Sequence, residues 1–186
     1  MGKRKEIPPD AKLVFQGQIF DVWQWNQKMY DGSTAIFERL QRTDTVRIIA
    51  TVGEKIVIEY QEQPDSFPFI SLPAGRVNKN EDVKIAAQRE LLEETGFVCD
   101  DWKLWQALQP QSKIIWTVYT FLAKDCNLKQ KPNLECGEKI RTELVTFDDF
   151  LTLSENPEWT EQDLNVLMVK ARYDKKFKEK LKKIIF

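Results

Sequence analysis

One segment limits the possible folds of this chain more than any other: residues 75–97, which combine a glycine turn with an unusually acidic helix. The pattern predicts a helix over Glu81–Thr95, with Asn80 as its N-cap. Acidic side chains in the first turn, from Glu81 and Asp82, would be stabilised by the helix dipole. The segment therefore predicts one short helix that follows directly on a turn.

Alternating apolar and polar residues predict strands on both sides of this helix. The predicted strands are Leu13–Trp25, Ala35–Leu40, Val46–Val52, Ile56–Tyr60, Lys103–Leu108, Ile114–Ala123 and Lys139–Thr146. Further helices are expected at Asp148–Leu153 and Thr160–Phe186. Strands gathered around one helix, with more helix at the end, indicate a layered domain of the α+β class.

Composition excludes several classes of protein. The 186 residues carry a formal net charge of −1, which disfavours a protein dedicated to duplex nucleic acid or to a membrane surface. No apolar run is long enough to span a bilayer. Histidine is absent, which rules out Ser-His-Asp and Cys-His catalysis and histidine-ligated zinc. Acid–base or metal chemistry must then come mainly from carboxylates, lysines, tyrosines or thiols.

The cysteines indicate a reducing environment. Cys99, Cys126 and Cys136 match no zinc-binding spacing, and their odd number disfavours a disulfide framework. We interpret them as reduced thiols and expect a cytoplasmic protein.

Three carboxylates share one face of the predicted helix. Glu90, Glu93 and Glu94 lie at positions i, i+3 and i+4, where like charges repel. Hard divalent cations would offset this repulsion, because clustered carboxylate oxygens are their preferred ligands. Such a pattern alone is more often a solvated acidic face. The glycine turn directly before the helix favours the metal site, because it can bring the Ala74 carbonyl close to an ion or a phosphate.

This segment resembles the signature of the Nudix hydrolases, G-x5-E-x7-R-E-U-x-E-E-x-G-U, in which U is a bulky apolar residue. Every position of the signature is filled, by Gly75, Glu81, Arg89, Glu90, Leu91, Glu93, Glu94, Gly96 and Phe97. The resemblance implies the Nudix fold, an α/β/α sandwich with a mixed sheet. It also implies an enzyme that hydrolyses the pyrophosphate bond of a nucleoside diphosphate linked to another moiety, with Mg²⁺ or alternatively Mn²⁺ as cofactor.

The resemblance assigns roles to the residues of the signature. Metal ligands are expected at the Ala74 carbonyl, Glu90, Glu93 and Glu94, and catalytic residues at Glu93, Glu94 and Arg89. Gly75 is expected to contact the substrate. Arg89 and Glu81 resemble the pair that fixes the glycine loop against the helix, and a buried charge needs such a partner.

Outside the signature, the chain is most similar to the ADP-ribose and nucleoside-diphosphate-sugar pyrophosphatases of this family. That similarity implies an N-terminal β extension over residues 1–42, a Nudix domain over residues 43–186, and a homodimer. It places substrate contacts at Glu38 and Arg39. The run Ser71–Gly75 is close to the E-L-P-A-G entry of that branch, although Ser71 replaces the usual glutamate. The run Glu59–Gln63 also differs from that branch, because it lacks the arginine usual there.

A further catalytic glutamate is expected in the loop before the last predicted strand. Glu138 is favoured because it immediately precedes that strand, and Glu135 is the second choice. A solvated loop acid is the alternative for this position.

Two other features leave alternatives open. Trp23, Trp25 and Trp116 belong either to the core or to a platform on which a nucleobase stacks. The basic segment Arg172–Phe186 has an apolar stripe at helical spacing, which either packs on the domain or meets a membrane or an acidic partner.

The function also has alternatives. The first is a hydrolase of (deoxy)nucleoside triphosphates or dinucleoside polyphosphates. The second is a Nudix domain that binds a nucleotide without cleaving it, which the intact set Arg89, Glu90, Glu93 and Glu94 disfavours. The expected partner in every case is a small nucleotide, with no nucleic-acid duplex and no membrane.

Overall fold

The computed structural model describes residues 6–134 and 136–186. The strands are β1 (Lys12–Gln16), β2 (Asp21–Lys28), β3 (Thr34–Gln41), β4 (Thr45–Val52), β5 (Lys55–Glu62), β6 (Phe69–Ser71), β7 (Ala74–Arg76), β8 (Phe97–Val98), β9 (Asp101–Leu108), β10 (Ile114–Ile115), β11 (Val118–Lys124), β12 (Asn127–Leu128) and β13 (Lys139–Thr146). The helices are α1 (Val83–Thr95), α2 (Phe147–Thr152), α3 (Asn165–Tyr173) and α4 (Lys175–Ile185). Short 3₁₀ turns lie at Leu153–Glu155 and Gln162–Leu164.

A seven-stranded mixed sheet forms the centre of the fold. Its order is β13-β5-β4-β11-β9, with β6 paired to β5 and β7 paired to β4. The β4–β11 pair is parallel and the others are antiparallel. Both faces of the central strands are apolar, as expected for strands that are covered on both sides. The sheet therefore needs a layer of helix on each face.

Two apolar clusters cover the two faces of this sheet. On one face, Val46, Ile48 and Val57 pack with Ala87 and Leu91 of α1. On the other face, the sheet packs against α2, α3 and α4 through a cluster that includes Ile49, Ile56, Ile58, Phe150, Trp159, Met168, Leu181 and Ile185. The α/β/α sandwich of the α+β class is confirmed.

The N-terminal strands form a second sheet of four strands, in the order β1-β2-β3-β10. The predicted strand Leu13–Trp25 is in fact two strands, joined by a turn in which the Gly17 amide donates to the Phe20 carbonyl at 3.0 Å. The predicted strand Ile114–Ala123 is also two, since Ile114 and Ile115 pair with β3 while β11 pairs with β4. One predicted strand thus contributes to both sheets.

The start of α1 differs from the prediction. The helix begins at Val83, and its N-cap is Asp82, whose side chain accepts hydrogen bonds from the amides of Lys84 and Ile85. The predicted N-cap, Asn80, was wrong because that residue has a positive φ of 65° and lies in the preceding turn. A carboxylate oxygen can accept hydrogen bonds from two main-chain amides at once, which favours Asp82 over Asn80 as the N-cap residue.

The C-terminal basic segment packs on the domain. Leu181 and Ile185 of α4 are buried, and Phe177 packs against the same cluster. The lysines of this helix lie mostly in solvent. In residues 6–134 and 136–186, no helix has both the length and the apolar character needed to cross a bilayer.

A buried ionic cluster joins the central sheet to the segment before α3. The Arg47 guanidinium, whose side chain is 3% exposed, donates to Glu161 at 2.6 Å and to both carboxylate oxygens of Asp163 at 2.7 Å. It also donates to the Thr120 hydroxyl. Because Arg47 lies on β4, this cluster fixes the 3₁₀ turn at Gln162–Leu164 to the middle of the sheet.

The variant Arg47→Ala is expected to lower the free energy of unfolding by about 3–5 kcal/mol, because it leaves two carboxylates in a low-dielectric site without their partner. Urea unfolding followed by circular dichroism measures the change. The matched control is Lys139→Ala, which removes an exposed pair with Glu62 and should cost less than about 1 kcal/mol. Equal losses from the two variants would contradict a structural role for Arg47.

Candidate active site

The helix α1 presents its carboxylates at the edge of the sheet. Ala86, Ala87 and Leu91 are buried against the strands, which fixes the rotation of the helix about its axis. Glu94 is consequently almost fully buried, with 5% of its surface exposed, whereas the Glu93 side chain is 37% exposed. The helix thus carries one carboxylate into the protein and leaves another at the solvent boundary.

The glycine turn lies directly against these carboxylates. Strand β7 pairs with β4, which places Gly75 opposite Val46. The Ala74 amide donates to the Glu94 carboxylate at 2.9 Å. A Cβ atom on Gly75 would overlap the Glu90 carboxyl group, so only glycine allows the backbone to approach this closely.

Arg89 holds the turn and the helix together. Its guanidinium donates to both oxygens of Glu81, at 2.9 and 3.0 Å, and to the Arg76 carbonyl at 2.9 Å. It also donates to Glu90 at 2.8 Å and to Glu93 at 3.0 Å. These bonds hold the pKa of Glu81 below its usual value and raise the pKa of Arg89. The Arg89 guanidinium therefore holds four groups of the site in place: the carboxylates of Glu81, Glu90 and Glu93 and the Arg76 carbonyl.

A further glutamate, Glu59, lies beneath the site. It is on β5, on the same face of the sheet as Val57, and it is fully buried. One of its oxygens accepts from Gln61 at 2.8 Å. Burial, together with the charges of Glu138 and Glu90, raises the pKa of Glu59 to about 8. The only sequence signal for Glu59 is an acidic residue at the end of the apolar run Ile56-Val57-Ile58, and its distance along the chain from α1 hides the connection.

Burial and neighbouring charges also shift the pKa of Glu94. Desolvation, followed by repulsion from Glu59 and Glu90, raises the pKa of Glu94 well above its usual value, although the Ala74 amide opposes the change. Carboxylates gathered in this way without enough cations form an electrostatically strained group. The site has the chemistry of a cation-binding centre.

A cavity of about 620 Å³ opens onto these residues. Its wall contains all the predicted site residues of the signature, namely Ala74, Gly75, Arg89, Glu90, Glu93 and Glu94. Glu138, which directly precedes β13, lines the same cavity. The second choice, Glu135, lies outside the described residues.

Glu38 and Arg39 do not reach this cavity in the same chain. They line a separate depression on β3 together with Phe37 and Lys113. Glu38 accepts a hydrogen bond from Gln24, and Arg39 stacks on Trp25 and donates to the Glu6 carbonyl. Trp25 itself is buried, as expected for a core residue.

The cavity wall also carries two cationic side chains, Arg42 and Arg76, which sequence reasoning missed. Arg42 lies over the Trp116 ring at 4.8 Å and over the Phe20 ring at 5.8 Å, and Arg76 lines the cavity beside it. Burial and the charge of Arg76 lower the pKa of Arg42. Since Trp116 is held by a hydrogen bond to Thr45, the guanidinium is kept in a fixed position.

The residues present suit a hard divalent cation. All candidate ligands are oxygens, from Glu90, Glu93, Glu94 and the Ala74 carbonyl, and these are the donors that Mg²⁺ and Mn²⁺ prefer. In the described part of the chain, no three acidic or thiol side chains already enclose an ion position. Glu90 and Glu93 instead turn towards Arg89, so they would have to share or exchange this partner when a cation binds.

Comparison with known proteins agrees with this geometry. The Nudix domain model matches residues 41–178. The methanol dehydrogenase activator of Bacillus methanolicus is 29% identical over 115 residues, which are 59% of this chain and 62% of that protein. The ADP-ribose pyrophosphatase of Bacillus subtilis (strain 168) is 26% identical over 149 residues, which are 78% of this chain and 80% of that protein. The chain thus spans less than two thirds of the first relative.

A solved structure shares the fold. The crystal structure of an ADP compounds hydrolase superposes with a TM-score of 0.73 at 18% identity, covering 93% of this chain and 96% of that chain. Because the Nudix domain model matches more than half of the chain, the chain belongs to the Nudix family. Its similarity to the branch that contains ADP-ribose pyrophosphatase is confirmed.

The raised pKa of Glu59 predicts how the stability of the metal-free protein depends on pH. An acid whose pKa is higher in the folded than in the unfolded chain binds its proton more tightly when folded. Its contribution is complete below the ordinary value of 4.5 and is lost as the pH rises through about 8. In EDTA, the thermal midpoint should therefore decrease as the pH rises from about 5 to about 8.

Differential scanning fluorimetry measures this slope. Glu59→Gln should flatten it, because the amide does not titrate, while Glu62→Gln on the exposed side of the same strand should leave it unchanged. A midpoint that rises over this range in the wild type, or an equal slope in Glu59→Gln, would show that Glu59 is not the group responsible.

Proposed function

We propose that this enzyme catalyses the Mg²⁺-dependent hydrolysis of the pyrophosphate bond in a nucleoside diphosphate linked to a further moiety. The observation that carries the proposal is that one cavity holds both carboxylates and guanidinium groups. Glu90, Glu93 and Glu94 line it together with Arg42 and Arg76. The carboxylates would hold a divalent cation, and the guanidinium groups would bind the negatively charged oxygens of a phosphoanhydride.

Each residue of the signature has a role in this proposal. Glu90, Glu94 and the Ala74 carbonyl hold the metal, and Glu93 completes its ligands or orients a water. A bound ion supplies charge neutralisation at the phosphate oxygens and lowers the pKa of the attacking water. Glu138 accepts the proton of that water, which is consistent with its place on the cavity wall. Arg89 keeps the carboxylates in position.

The substrate class is ADP-ribose or a nucleoside diphosphate sugar. Similarity to an ADP-ribose pyrophosphatase over 78% of the chain supports this choice. The cavity volume of about 620 Å³ suits a ligand larger than a single phosphate group. Phe20 and Arg42 line the cavity, and the Arg42 guanidinium lies over the rings of Phe20 and Trp116. An aromatic and a planar cationic surface are thus available to a base or sugar.

We further propose that the chain works as a homodimer in a reducing compartment. Large apolar side chains are exposed on the N-terminal sheet, among them Val14 and Phe15 of β1 and Ile36 of β3. Such a surface is typical of an interface between protein chains. Residues 1–42 would then act as the dimerising extension, and Glu38 and Arg39 would approach the cavity of the second copy. The three free cysteines support the compartment.

A panel of ADP-ribose, nucleoside diphosphate sugars, nucleoside triphosphates and dinucleoside polyphosphates tests the activity. With Mg²⁺, ADP-ribose should yield AMP and ribose 5-phosphate. EDTA should abolish the reaction and excess Mg²⁺ should restore it. Pyrophosphate release from triphosphates as the faster reaction would favour the alternative hydrolase class, and activity that survives chelation would overturn the metal site.

Glu94→Gln should lower kcat by at least about 100-fold, because it removes a charge that acts on the reacting phosphate through the metal. Glu179→Gln on the exposed surface of α4 is the control and should retain full activity. Isothermal titration with a nucleotide should show that both variants still bind. If the wild type binds but cleaves nothing, and Glu94→Gln binds equally well, the protein is a nucleotide sensor instead.

Light scattering after size exclusion tests the dimer. The wild type should elute with twice the mass of one chain. Ile36→Glu should be monomeric, because it places a charge on the exposed N-terminal sheet, while Val166→Glu on the exposed face of α3 should remain dimeric. A monomeric wild type would exclude the proposed assembly without affecting the proposed reaction.

A further inference from the structure

Two cysteines that are distant in the sequence face each other across neighbouring strands. Strand β8 pairs antiparallel with β12, with Val98 opposite Asn127. The next pair outward therefore sets Cys99 opposite Cys126. The Cys126 amide donates to the Thr51 carbonyl at 2.7 Å, so its hydrogen bond is made to β4 and not to Cys99. Such pairs bring Cα atoms to about 4.5–5.5 Å, within the range of about 4.4–6.8 Å that a disulfide requires.

The side chains of this pair already meet. Each thiol perturbs the pKa of the other, as expected for sulfurs that lie close together. Each also lies against a main-chain carbonyl, Cys99 at 2.6 Å from that of Lys124 and Cys126 at 3.5 Å from that of Ala123. Both thiols are free, and Cys99 is the more accessible, since Cys126 is only 2% exposed. Burial raises the pKa of both thiols, which keeps them protonated in the resting protein.

The position of the pair connects it with the active site. Cys99 follows Gly96, the residue that ends α1. Cys126 begins the segment 126–134, which returns along the end of that helix. The amides of Lys129 and Gln130 donate to the Gly96 carbonyl, and the Asn133 amide donates to the Glu93 carbonyl at 2.8 Å. Asn133 itself lines the catalytic cavity.

We propose that Cys99 and Cys126 are an oxidation site, at which a hydroperoxide closes an intramolecular disulfide in the folded protein. The disulfide would staple the root of segment 126–134 to the strand that leaves the catalytic helix. This inference rests on the fold and on the placement of the two thiols, and it is independent of the proposed substrate.

The chemistry proceeds in two balanced steps. The Cys99 sulfur attacks one oxygen of hydrogen peroxide, which breaks the O–O bond and gives a sulfenic acid and one water. The Cys126 sulfur then attacks the Cys99 sulfur, which forms the S–S bond and releases the second water. Two thiols are oxidised and one peroxide is reduced. Because the sulfurs are already adjacent, the second step competes well with further oxidation of Cys99 to a sulfinic acid.

The disulfide should stabilise the protein without inactivating it. Closing the bridge requires side-chain rotation and little backbone movement, so the carboxylates of α1 keep their positions. The bridge links two residues that are 27 positions apart, which lowers the conformational entropy of the unfolded chain. It should therefore raise the thermal midpoint by roughly 5–10 °C.

The test uses the full chain with Cys136→Ser, because Cys136 is exposed and would otherwise join two molecules. This variant is treated with hydrogen peroxide under native conditions, alkylated, and analysed by intact mass and peptide mapping. The expected product is lighter than the reduced protein by two hydrogens, contains a Cys99–Cys126 linked peptide, and has the raised thermal midpoint. Dithiothreitol should restore both thiols and the original midpoint.

The double variants Cys136→Ser/Cys126→Ser and Cys136→Ser/Cys99→Ser are the matched controls. The first should accumulate a sulfinic acid at Cys99 and the second should resist oxidation, and neither should gain stability. The proposal fails if the treated Cys136→Ser protein keeps two alkylatable thiols, if it carries a sulfinic acid at Cys99 without the link, or if the linked protein melts at the same temperature as the reduced one. The primary readout is made on a chain that retains both thiols, so it does not depend on how the controls fold.

Discussion

The arrangement of the active site depends on the guanidinium group of Arg89. It is bound by Glu81 and by the Arg76 carbonyl on the side of the glycine turn, and it contacts Glu90 and Glu93 on the helix. A planar cation with five donors can satisfy such a set at fixed angles, whereas a lysine presents a single charged atom. The loop therefore has one position relative to α1, and that position brings Gly75 against the Glu90 carboxyl group.

The negative charges buried next to the contact between Gly75 and Glu90 are not balanced by an equal number of positive charges. Glu59 and Glu94 are both buried, and burial raises the pKa of each. The charges of Glu90 and Glu138 raise both pKa values further, and the charge of Glu59 also raises the pKa of Glu94. A buried carboxylate without a cation costs free energy, and a protein retains several together when a ligand stabilises them. The mixed sheet provides the rigid base for this strained group, because β5 carries Glu59 while β4 and β7 hold the glycine turn. In and near α1, the buried carboxylates that suit a bound cation are therefore the same groups that lower the stability of the cation-free protein.

Much of this site was readable from the sequence, because its members lie close together along one segment. The spacing from Gly75 to Phe97 identifies the family, and the cavity contains every signature residue that was expected to bind metal. Glu138 also lines this cavity, because the strand that follows it, β13, pairs with β5 with Lys139 opposite Glu62. Its catalytic role stays a prediction. The prediction of Asn80 as N-cap failed because two candidate caps, Asn80 and Asp82, lie two residues apart, and only the local backbone decides between them.

The sequence by itself determined the local chemistry: a glycine turn, an acidic helix and the arginine between them, all within 23 residues. Tertiary structure alone decided which distant groups join them. Glu59, Arg42 and the Cys99–Cys126 pair are brought to their places by strand register and by the packing of Trp116, Thr45 and Thr51. The physical reason is that helix spacing is a local property, whereas the pairing of strands far apart in the chain depends on which faces of the whole sheet are buried.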